Sequence, residues 1–261
     1  MSLRTPRFFS HPIARKLLPE AMAGNFKAKA EPVWLAADYR CQLSYYDYRP
    51  VQDNSPCWLM LEPRDHLGAK GEQARPATPE SISKAFKAHG VSSKTTQAID
   101  PLLFWARHVD LALDHRRGTL IFAPWITQGE LLSLFRCAAV GAIQPNFAGS
   151  ASAGQIIEDI ECFGNDELMR EATATSSLNE PWSADEWLKG VRKLPQKERR
   201  AYLNEFGANL RFWPDQSVFR PVIQTWKEQA DKHLGNPQSD TGNPWFSHYM
   251  EMFSTLRKKT S

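Results

Sequence analysis

Apolar and polar residues alternate along the first part of the chain in the way that is typical of β-strands. Between positions 32 and 49, Val33, Leu35 and Ala37 begin a series of apolar or aromatic residues at odd-numbered positions. This alternation predicts a long strand, or two strands with a bulge. The apolar run 57–63 predicts a second strand that is buried on both faces. Turn-forming residues between the two runs predict a hairpin.

Helical spacing replaces this alternation after position 78. Thr78 followed by Pro79 predicts the start of a helix, and Gly90 predicts its end. Apolar side chains at intervals of three and four predict a second helix over 98–115. The two helices together predict a helical hairpin, residues 78–117, inserted between strands.

The middle of the chain combines the two patterns. Residues 118–124 predict a central strand, and a capping box opens a helix that is predicted over 131–140. A loop of small residues, 141–154, follows this helix. Residues 155–163 then predict another strand.

The last part of the chain has helical patterns. Helices are predicted over 183–194 and 195–206, and Asp215 is predicted to cap a third, which Pro221 would kink or restart. The patterns as a whole predict an α+β fold with an antiparallel or mixed sheet, an inserted helical hairpin and a C-terminal helical region.

The predicted organisation has three parts. Residues 1–30 form a basic arm, residues 31–172 an α+β domain that contains the helical insertion, and residues 173–261 the helical region. The arm is interpreted either as a solvated tail or as a segment that grips phosphates.

Charge is unevenly distributed along a chain whose formal net charge is only +3. That mild excess permits nucleic-acid binding without requiring it. The segment 189–200 concentrates Arg192, Lys193, Arg199 and Arg200 against a single acid. Helices with a basic member in the middle are typical of helix-turn-helix DNA readers. A solvated basic face packed on the main domain is the alternative interpretation.

Cysteine spacing and apolar runs exclude several classes of protein. The four cysteines contain no CxxC pair, so no zinc ribbon is expected, and no metal ion or other cofactor is predicted. A membrane span needs about 18 consecutive apolar residues, a run that is absent from the sequence. The N terminus also lacks the apolar run of a secretory signal. A cytoplasmic location without a membrane partner is therefore predicted.

The glycine-containing segment carries a family resemblance. The stretch FRCAAVGAIQPNFAGSASAGQIIEDI resembles the glycine-rich loop of the RAMP superfamily, the RNA-binding subunits of CRISPR systems. The resemblance covers Gly118 to Phe163 and implies a ferredoxin-like, or RRM-like, sheet. It also implies that Gly141, Gly149 and Gly154 contact the backbone of a CRISPR repeat RNA. The implied partners are RNA and the other subunits of an antiviral ribonucleoprotein.

Two histidines form a candidate site for RNA cleavage. Metal-independent cleavage needs a base for the 2′-hydroxyl and a cation for the phosphorane. His108 and His115 are predicted to share one helix face, with Arg107, Arg116 and Arg117 as neighbouring cations. An exposed helix end, at which cations suit the macrodipole, is the alternative interpretation.

Three functions stay open at this point. The first is RNA binding, with or without metal-independent endoribonuclease activity. The second is non-enzymatic DNA binding through the basic C-terminal helices, and the third is a module that docks on another protein through its many tryptophans. DNA reading predicts that Arg199 and Arg200 matter and that the glycine loop does not.

Overall fold

The chain is an α+β protein, as predicted. The computed structural model describes residues 3–10, 12–15, 17, 27–44, 46–50, 56–67, 75–76, 78–144, 149–175 and 184–234. The chain divides into two compact units, one comprising Phe9–Leu111 and the other Ser2–Phe8 with Ala112–Ser261. These bounds differ from the predicted 31–172 and 173–261.

The first unit carries short strands between helices. In chain order its elements are α1 Lys27–Ala36, β1 Met60–Pro63, β2 His66–Leu67, β3 Arg75–Pro76, α2 Pro79–His89, β4 Thr96–Ile99, α3 Pro101–Arg107 and α4 Val109–Asp114. The boundary between the units falls within α4.

The predicted hairpin of the first unit is wrong. The second predicted strand exists as β1, but its antiparallel partner is β4, with Met60 opposite Ile99 and Pro63 opposite Thr96. β2 and β3 form a separate antiparallel pair. Because β4 is only four residues long and lies between helical sequences, its apolar residues fit helical spacing equally well.

The long strand predicted over 32–49 is also wrong, because its first part is helical and, among the described residues of the rest, Arg40 and Asp47 form only an isolated antiparallel bridge. In the first part the structure has α1, with Ala30, Val33 and Trp34 buried on one helix face. The indole Nε1 of Trp34 donates to the Leu59 carbonyl at 3.1 Å, which fastens α1 beside β1. The residues at the start of the predicted strand thus fit both the two-residue repeat of a strand and the 3.6-residue repeat of a helix. Burial of Trp34 favours the helix.

Of the two helices predicted for the insertion, residues 78–117, only the first is confirmed as predicted. Thr78 caps α2 in a capping box and Gly90 ends it, as predicted. The second helix does not run through 98–115, because Asp100 accepts hydrogen bonds from Leu102 and Leu103 and so begins α3 after β4. No uninterrupted helical hairpin is therefore present within the described part of the insertion.

The second unit consists mainly of helices around one strand pair. Its elements are β5 Gly118–Phe122, α5 Gln128–Ala142, α6 Ser150–Thr175, α7 Ala184–Lys193, α8 Gln196–Glu205, a 3₁₀ turn Gly207–Asn209, β6 Leu210–Pro214 and α9 Gln216–Leu234. The predicted central strand and the Thr127–Glu130 capping box of α5 are confirmed.

β5 and β6 are antiparallel, with Gly118 opposite Pro214 and Phe122 opposite Leu210. A Cβ at Gly118 would lie 2.1 Å from the Trp213 carbonyl oxygen, so only glycine fits at this end of the pair. The buried amide of Gln128 pairs with the other edge of β6. It donates to the Phe212 carbonyl at 2.9 Å and accepts from the Phe212 amide at 2.7 Å. A side chain thus satisfies backbone groups that a third strand would otherwise pair.

The strand predicted over 155–163 is wrong, because these residues belong to α6. Ala153, Ile157 and Leu168 are buried along this helix, at spacings that place them on one face. The adjacent isoleucines at 156 and 157 are typical of a strand, but they lie on different sides of α6, where Ile157 is buried and Ile156 only half-buried. The described strands pair in twos.

The predicted C-terminal helices are confirmed as α7, α8 and α9. Pro195 precedes α8, and Asp215 accepts from the amide of Ser217 at the start of α9, at 2.8 Å. Pro221 lies inside α9 without ending it, so the predicted restart is wrong. Ser183, the first residue of the helix predicted over 183–194, lies outside the described residues. β6 was not predicted.

Substitution of two glycines in α6 tests its packing on β5. In Gly164→Ala, the new Cβ would lie 2.5 Å from Cβ of the buried Ile121. We expect the free energy of unfolding to fall by about 1–3 kcal/mol, the usual cost of overpacking. Urea denaturation measures this change.

Gly154→Ala is the matched control in the same helix. Nothing lies within 4 Å of a Cβ at this position. Since alanine is the better helix former, we expect the free energy of unfolding to rise by up to about 1 kcal/mol. Equal effects at the two positions would contradict the packing of α6 against β5.

Candidate nucleic-acid interface

α7 separates an apolar face from a basic one. Its buried residues are Ala184, Trp187, Leu188 and Val191. Trp187 packs edge-on against Phe8, with ring centroids 5.8 Å apart, and its Nε1 donates to the Tyr202 hydroxyl at 3.0 Å. These contacts fix α7 against the N-terminal segment of its own unit and against α8. The cations of α7 are left on the opposite side.

The end of α7 and the start of α8 bring basic residues together. The guanidinium Nη1 of Arg199 donates to the Arg192 carbonyl at 3.4 Å, which ties the two helices. Arg192 in turn lies 3.9 Å from the Asp114 carboxylate. Residues 114–117 are therefore adjacent to this helix pair, although they are distant from it in sequence. We call residues 114–117 with 189–200 the basic corner.

The basic corner is strongly positive. It contains eight lysines and arginines against two acids, Asp114 and Glu198, whereas the excess of the entire chain is only +3. Lys189 is partly neutralised by a salt bridge to Asp185. The hydrogen bond that Lys189 donates to Asp185 is the main cause that raises the pKa of Lys189, and the charge of Asp114 adds to it.

Four cations of the corner have no ion pair within the described residues. They are Arg116, Lys193, Lys197 and Arg200, all exposed. α8 has no buried residue, so its cations project from the unit. Arg117 is half-buried instead, and its carbonyl accepts from the Asp215 amide at 3.1 Å, just after the end of β6. The predicted RNA-binding residues of 116–117 and 192–200 thus share one surface.

Arg116 has an unusual backbone conformation. Its φ is +51°, in the left-handed region, where it ends α4 while the Arg117 amide donates back to the Ala112 carbonyl at 2.7 Å. Glycine is the low-cost residue at such a position. Arginine is an uncommon residue in this conformation.

The predicted glycine loop has a different structure from the one expected. Gly141 belongs to the last turn of α5, Gly149 directly precedes α6, and Gly154 lies inside α6. Residues 145–148 between the two helices lie outside the described residues. The RNA contacts of these glycines stay a prediction, to which the helical positions of Gly141 and Gly154 lend no support.

The two candidate catalytic histidines do not lie on one helix. His108 ends α3, its amide donating to the Trp105 carbonyl, and α4 begins after it, so the predicted shared face is wrong. His108 is only 4% exposed, whereas His115 is exposed within the basic corner. The catalytic roles stay predictions, and only His115 has the exposure that they require.

His108 belongs to a buried ionic network in the first unit, centred on Glu62. Its Nε2 lies 3.1 Å from Glu62 Oε2. Arg107 Nη2 lies 2.8 Å from Glu62 Oε1 and 2.7 Å from Asp65, and Gln97 Nε2 donates to Glu62 at 2.6 Å. Arg107 is therefore occupied by carboxylates, an arrangement that favours a structural role over RNA contact.

Electrostatics in this network favour the ionised form of Glu62. Burial alone would raise the pKa of Glu62, but the hydrogen bond from His108 and the charge of Arg107 outweigh burial and lower the pKa. Burial would lower the pKa of Arg107, but the Glu62 and Asp65 carboxylates outweigh burial and raise it.

Neither Glu62 in β1 nor Arg211 in β6 was predicted as a functional residue, although both are charged residues buried within strands. A glutamate within the apolar run CWLMLEP and an arginine within LRFWP were the available signals, because charges in otherwise buried strands require partners. Within the described residues, no group of three or more histidines, cysteines and acids could hold a metal ion. No helix in the described ranges has the length and apolar character to cross a membrane.

Comparisons with known proteins give no assignment. No family model matches the chain, and no curated protein matches it.

Substitution of Glu62 tests the buried network. We expect Glu62→Gln to lower the free energy of unfolding at pH 7 by roughly 3 kcal/mol, because Arg107 and His108 lose their central carboxylate. The lowered pKa of Glu62 stabilises the fold above the ordinary value of 4.5, and this stabilisation is lost as pH falls through the folded value. The difference between wild type and variant should therefore shrink below pH 4.5.

Glu80→Gln on the exposed first turn of α2 is the control. We expect it to change stability by less than about 0.5 kcal/mol. A stability difference between wild type and Glu62→Gln that is constant with pH would contradict the ionised state of Glu62.

Proposed function

We propose that the protein binds RNA and that the basic corner is its contact surface. The observation that carries the proposal is the set of four exposed, unpaired cations at the corner. The tertiary structure brings these cations together from two distant segments. A phosphate backbone neutralises such a surface and releases its counterions, which is the main source of sequence-independent affinity.

The shape of the corner suits a phosphate chain. α8 has one exposed side that includes Lys197 and Arg200, and it meets α7 at a two-residue connection, Leu194–Pro195. Arg200 on α8 and Arg116 offer forked donors that match phosphate oxygens. The hydrogen bond between Arg199 and the Arg192 carbonyl holds this surface in place before RNA binds.

A subunit of a CRISPR-type ribonucleoprotein is the setting that the RAMP resemblance suggests. A ferredoxin-like sheet would be part of that proposal. Since α6 occupies the position of the expected last strand, we base RNA binding on the basic corner and not on the resemblance. Binding is better supported than cleavage, because His108 is enclosed by Glu62 and Phe104.

Duplex DNA is the second candidate ligand. The helix pair α7–α8, with exposed Arg200 on the second helix, has the general form of a helix-turn-helix reader. Competition between an RNA strand and duplex DNA of equal length for the same protein separates the two ligands.

Charge removal at the corner tests the proposal. The triple variant Lys193→Ala, Lys197→Ala and Arg200→Ala removes exposed side chains without ion pairs. If each contacts one phosphate of a single strand, the slope of log K against log salt should become shallower by about 2. Fluorescence anisotropy of labelled RNA over a salt series measures the slope.

The matched control removes three exposed lysines from the first unit, Lys84, Lys87 and Lys94. It changes the net charge equally, so its slope should remain that of wild type. Equal slopes for both triple variants would contradict a localised site, and failure of the wild type to bind RNA at low salt would overturn the function.

Arg116→Gly separates function from stability. Because position 116 has a φ of +51°, glycine should leave stability unchanged or raise it by up to about 1 kcal/mol. RNA affinity should fall, since an exposed cation is lost. Urea denaturation and anisotropy measure the two effects. A variant that binds RNA as tightly as wild type would exclude Arg116 from the interface.

A further inference from the structure

Trp125 is an exposed aromatic ring on a fixed turn. Its side chain is 50% exposed, between the buried residues Ala123 and Ile126. The Ala123 amide donates to the Asn209 carbonyl at 2.9 Å, which anchors the turn to the segment before β6. Within the described residues, Trp125 has no ring contact or hydrogen bond. The turn thus presents an aromatic face to solvent.

A buried arginine, Arg211, is hydrogen-bonded to the residue that follows Trp125 in the chain. Arg211 is 5% exposed, and its guanidinium donates to the carbonyls of Ile126 at 2.5 Å, Ala208 at 2.7 Å and Leu210 at 2.6 Å. No carboxylate contacts it within the described residues. Burial lowers the pKa of Arg211, as expected for a cation without a counter-ion.

The third guanidinium nitrogen of Arg211 remains available. Nη2 has no hydrogen bond within the described residues and keeps contact with solvent. Three carbonyls hold the rest of the group in place, so Nη2 has a fixed position beside the turn of Trp125. A buried cation that is satisfied by neutral acceptors retains its full charge, which attracts an anion.

Arg4 is a second cation, on the N-terminal segment that is bonded to the start of α5. Its carbonyl accepts from the Gln128 amide at 3.0 Å, and the Leu3 carbonyl accepts from the Gly129 amide at 2.9 Å. These bonds attach the N-terminal segment to the first turn of α5, three positions after Trp125. The Arg4 side chain is exposed and has no ion pair within the described residues.

α8 connects this cluster with the basic corner. The cations of the corner lie at its start, and Ala208 and Asn209, which contact Arg211 and the Trp125 turn, follow its end. α8 has ten residues, so the two ends are about 15 Å apart. An extended strand that follows the exposed surface of α8 reaches both.

We propose that a single-stranded segment of RNA runs along α8 from the basic corner and stacks a base on Trp125, with a neighbouring phosphate on Arg211 and Arg4. This inference rests on the proposed function and specifies its ligand. A π-face beside fixed cations is the combination with which proteins hold unpaired nucleotides. A duplex keeps its bases stacked inside, so it offers Trp125 no free base.

The charges at the cluster favour this ligand over an apolar protein segment. Within the described residues Arg211 has no carboxylate partner, so an apolar segment that covers Trp125 and the turn would leave this buried cation without a counter-ion. An oligonucleotide provides a base and a phosphate together.

The test compares Trp125→Ala, Trp125→Phe and wild type on a single-stranded RNA of twelve nucleotides and on a blunt RNA duplex of equal length, by anisotropy. Trp125→Ala should weaken single-strand binding roughly 5- to 100-fold, the effect of losing one base stack. Duplex binding should change less than twofold, and Trp125→Phe should restore most of the affinity. Leu35→Ala, which removes an exposed apolar side chain from the first unit, should have no effect.

Arg4→Ala is a second variant that removes only an exposed side chain. It should make the single-strand salt slope shallower by about 0.7. If Trp125→Ala binds the single strand as wild type does while the triple variant of Lys193, Lys197 and Arg200 shows its shallower salt slope, the stacking site is overturned and RNA binding stands. If wild type binds neither RNA, both proposals are overturned.

Discussion

The antiparallel pairing of β5 with β6 is the constraint on which the second unit depends. It joins residues 118–122 to residues 210–214, and the Gln128 amide seals the outer edge of β6. Because β6 follows α8 after one 3₁₀ turn, this pairing determines where the preceding helix ends. It also places Ala208 and Asn209 against Arg211 and the Trp125 turn. The candidate interface is thus a consequence of two short strands.

Glu62 and Arg211 are both buried charged residues within strands, but they have different kinds of partner. Glu62 in β1 is surrounded by Arg107, His108 and Gln97, so its charge is paired and hydrogen-bonded. Within the described residues, Arg211 in β6 donates hydrogen bonds to carbonyls alone. A paired ion is typical of a structural network, whereas a fixed cation without a counter-ion is suited to an anionic ligand. This contrast is the reason why we place RNA on the second unit and a structural role on His108.

Local signals in the sequence predicted local structure well. The caps at Thr78 and Thr127 and the ends of α2 and α8 depend on side chains within a few residues of the helix end, so they were readable. The pairing of strands from distant segments could not be predicted in this way. β4 and β6 are four and five residues long, too short for periodicity to distinguish them from the helices on either side. α6 was predicted as a strand because its isoleucines are β-branched, and burial against β5 decided otherwise.

The candidate site was predictable only in part. The basic run 189–200 and Arg116 were visible as charges, but their proximity depends on the Arg192–Asp114 contact, which no local pattern predicts. Trp125 gave no signal beyond residue type, since its exposure is set by the tertiary fold. Arg211 was visible as a charge within LRFWP, but its neighbours were not.

Photo-crosslinking is the measurement that tests RNA binding by the second unit most directly. Single-stranded RNA containing 4-thiouridine would be irradiated with the full-length protein, and crosslinked peptides would be identified by mass spectrometry. We expect crosslinks in peptides that contain residues 114–117, 189–205 and 124–126. Crosslinks confined to residues 9–111, or none at RNA concentrations that saturate binding, would contradict the proposed interface.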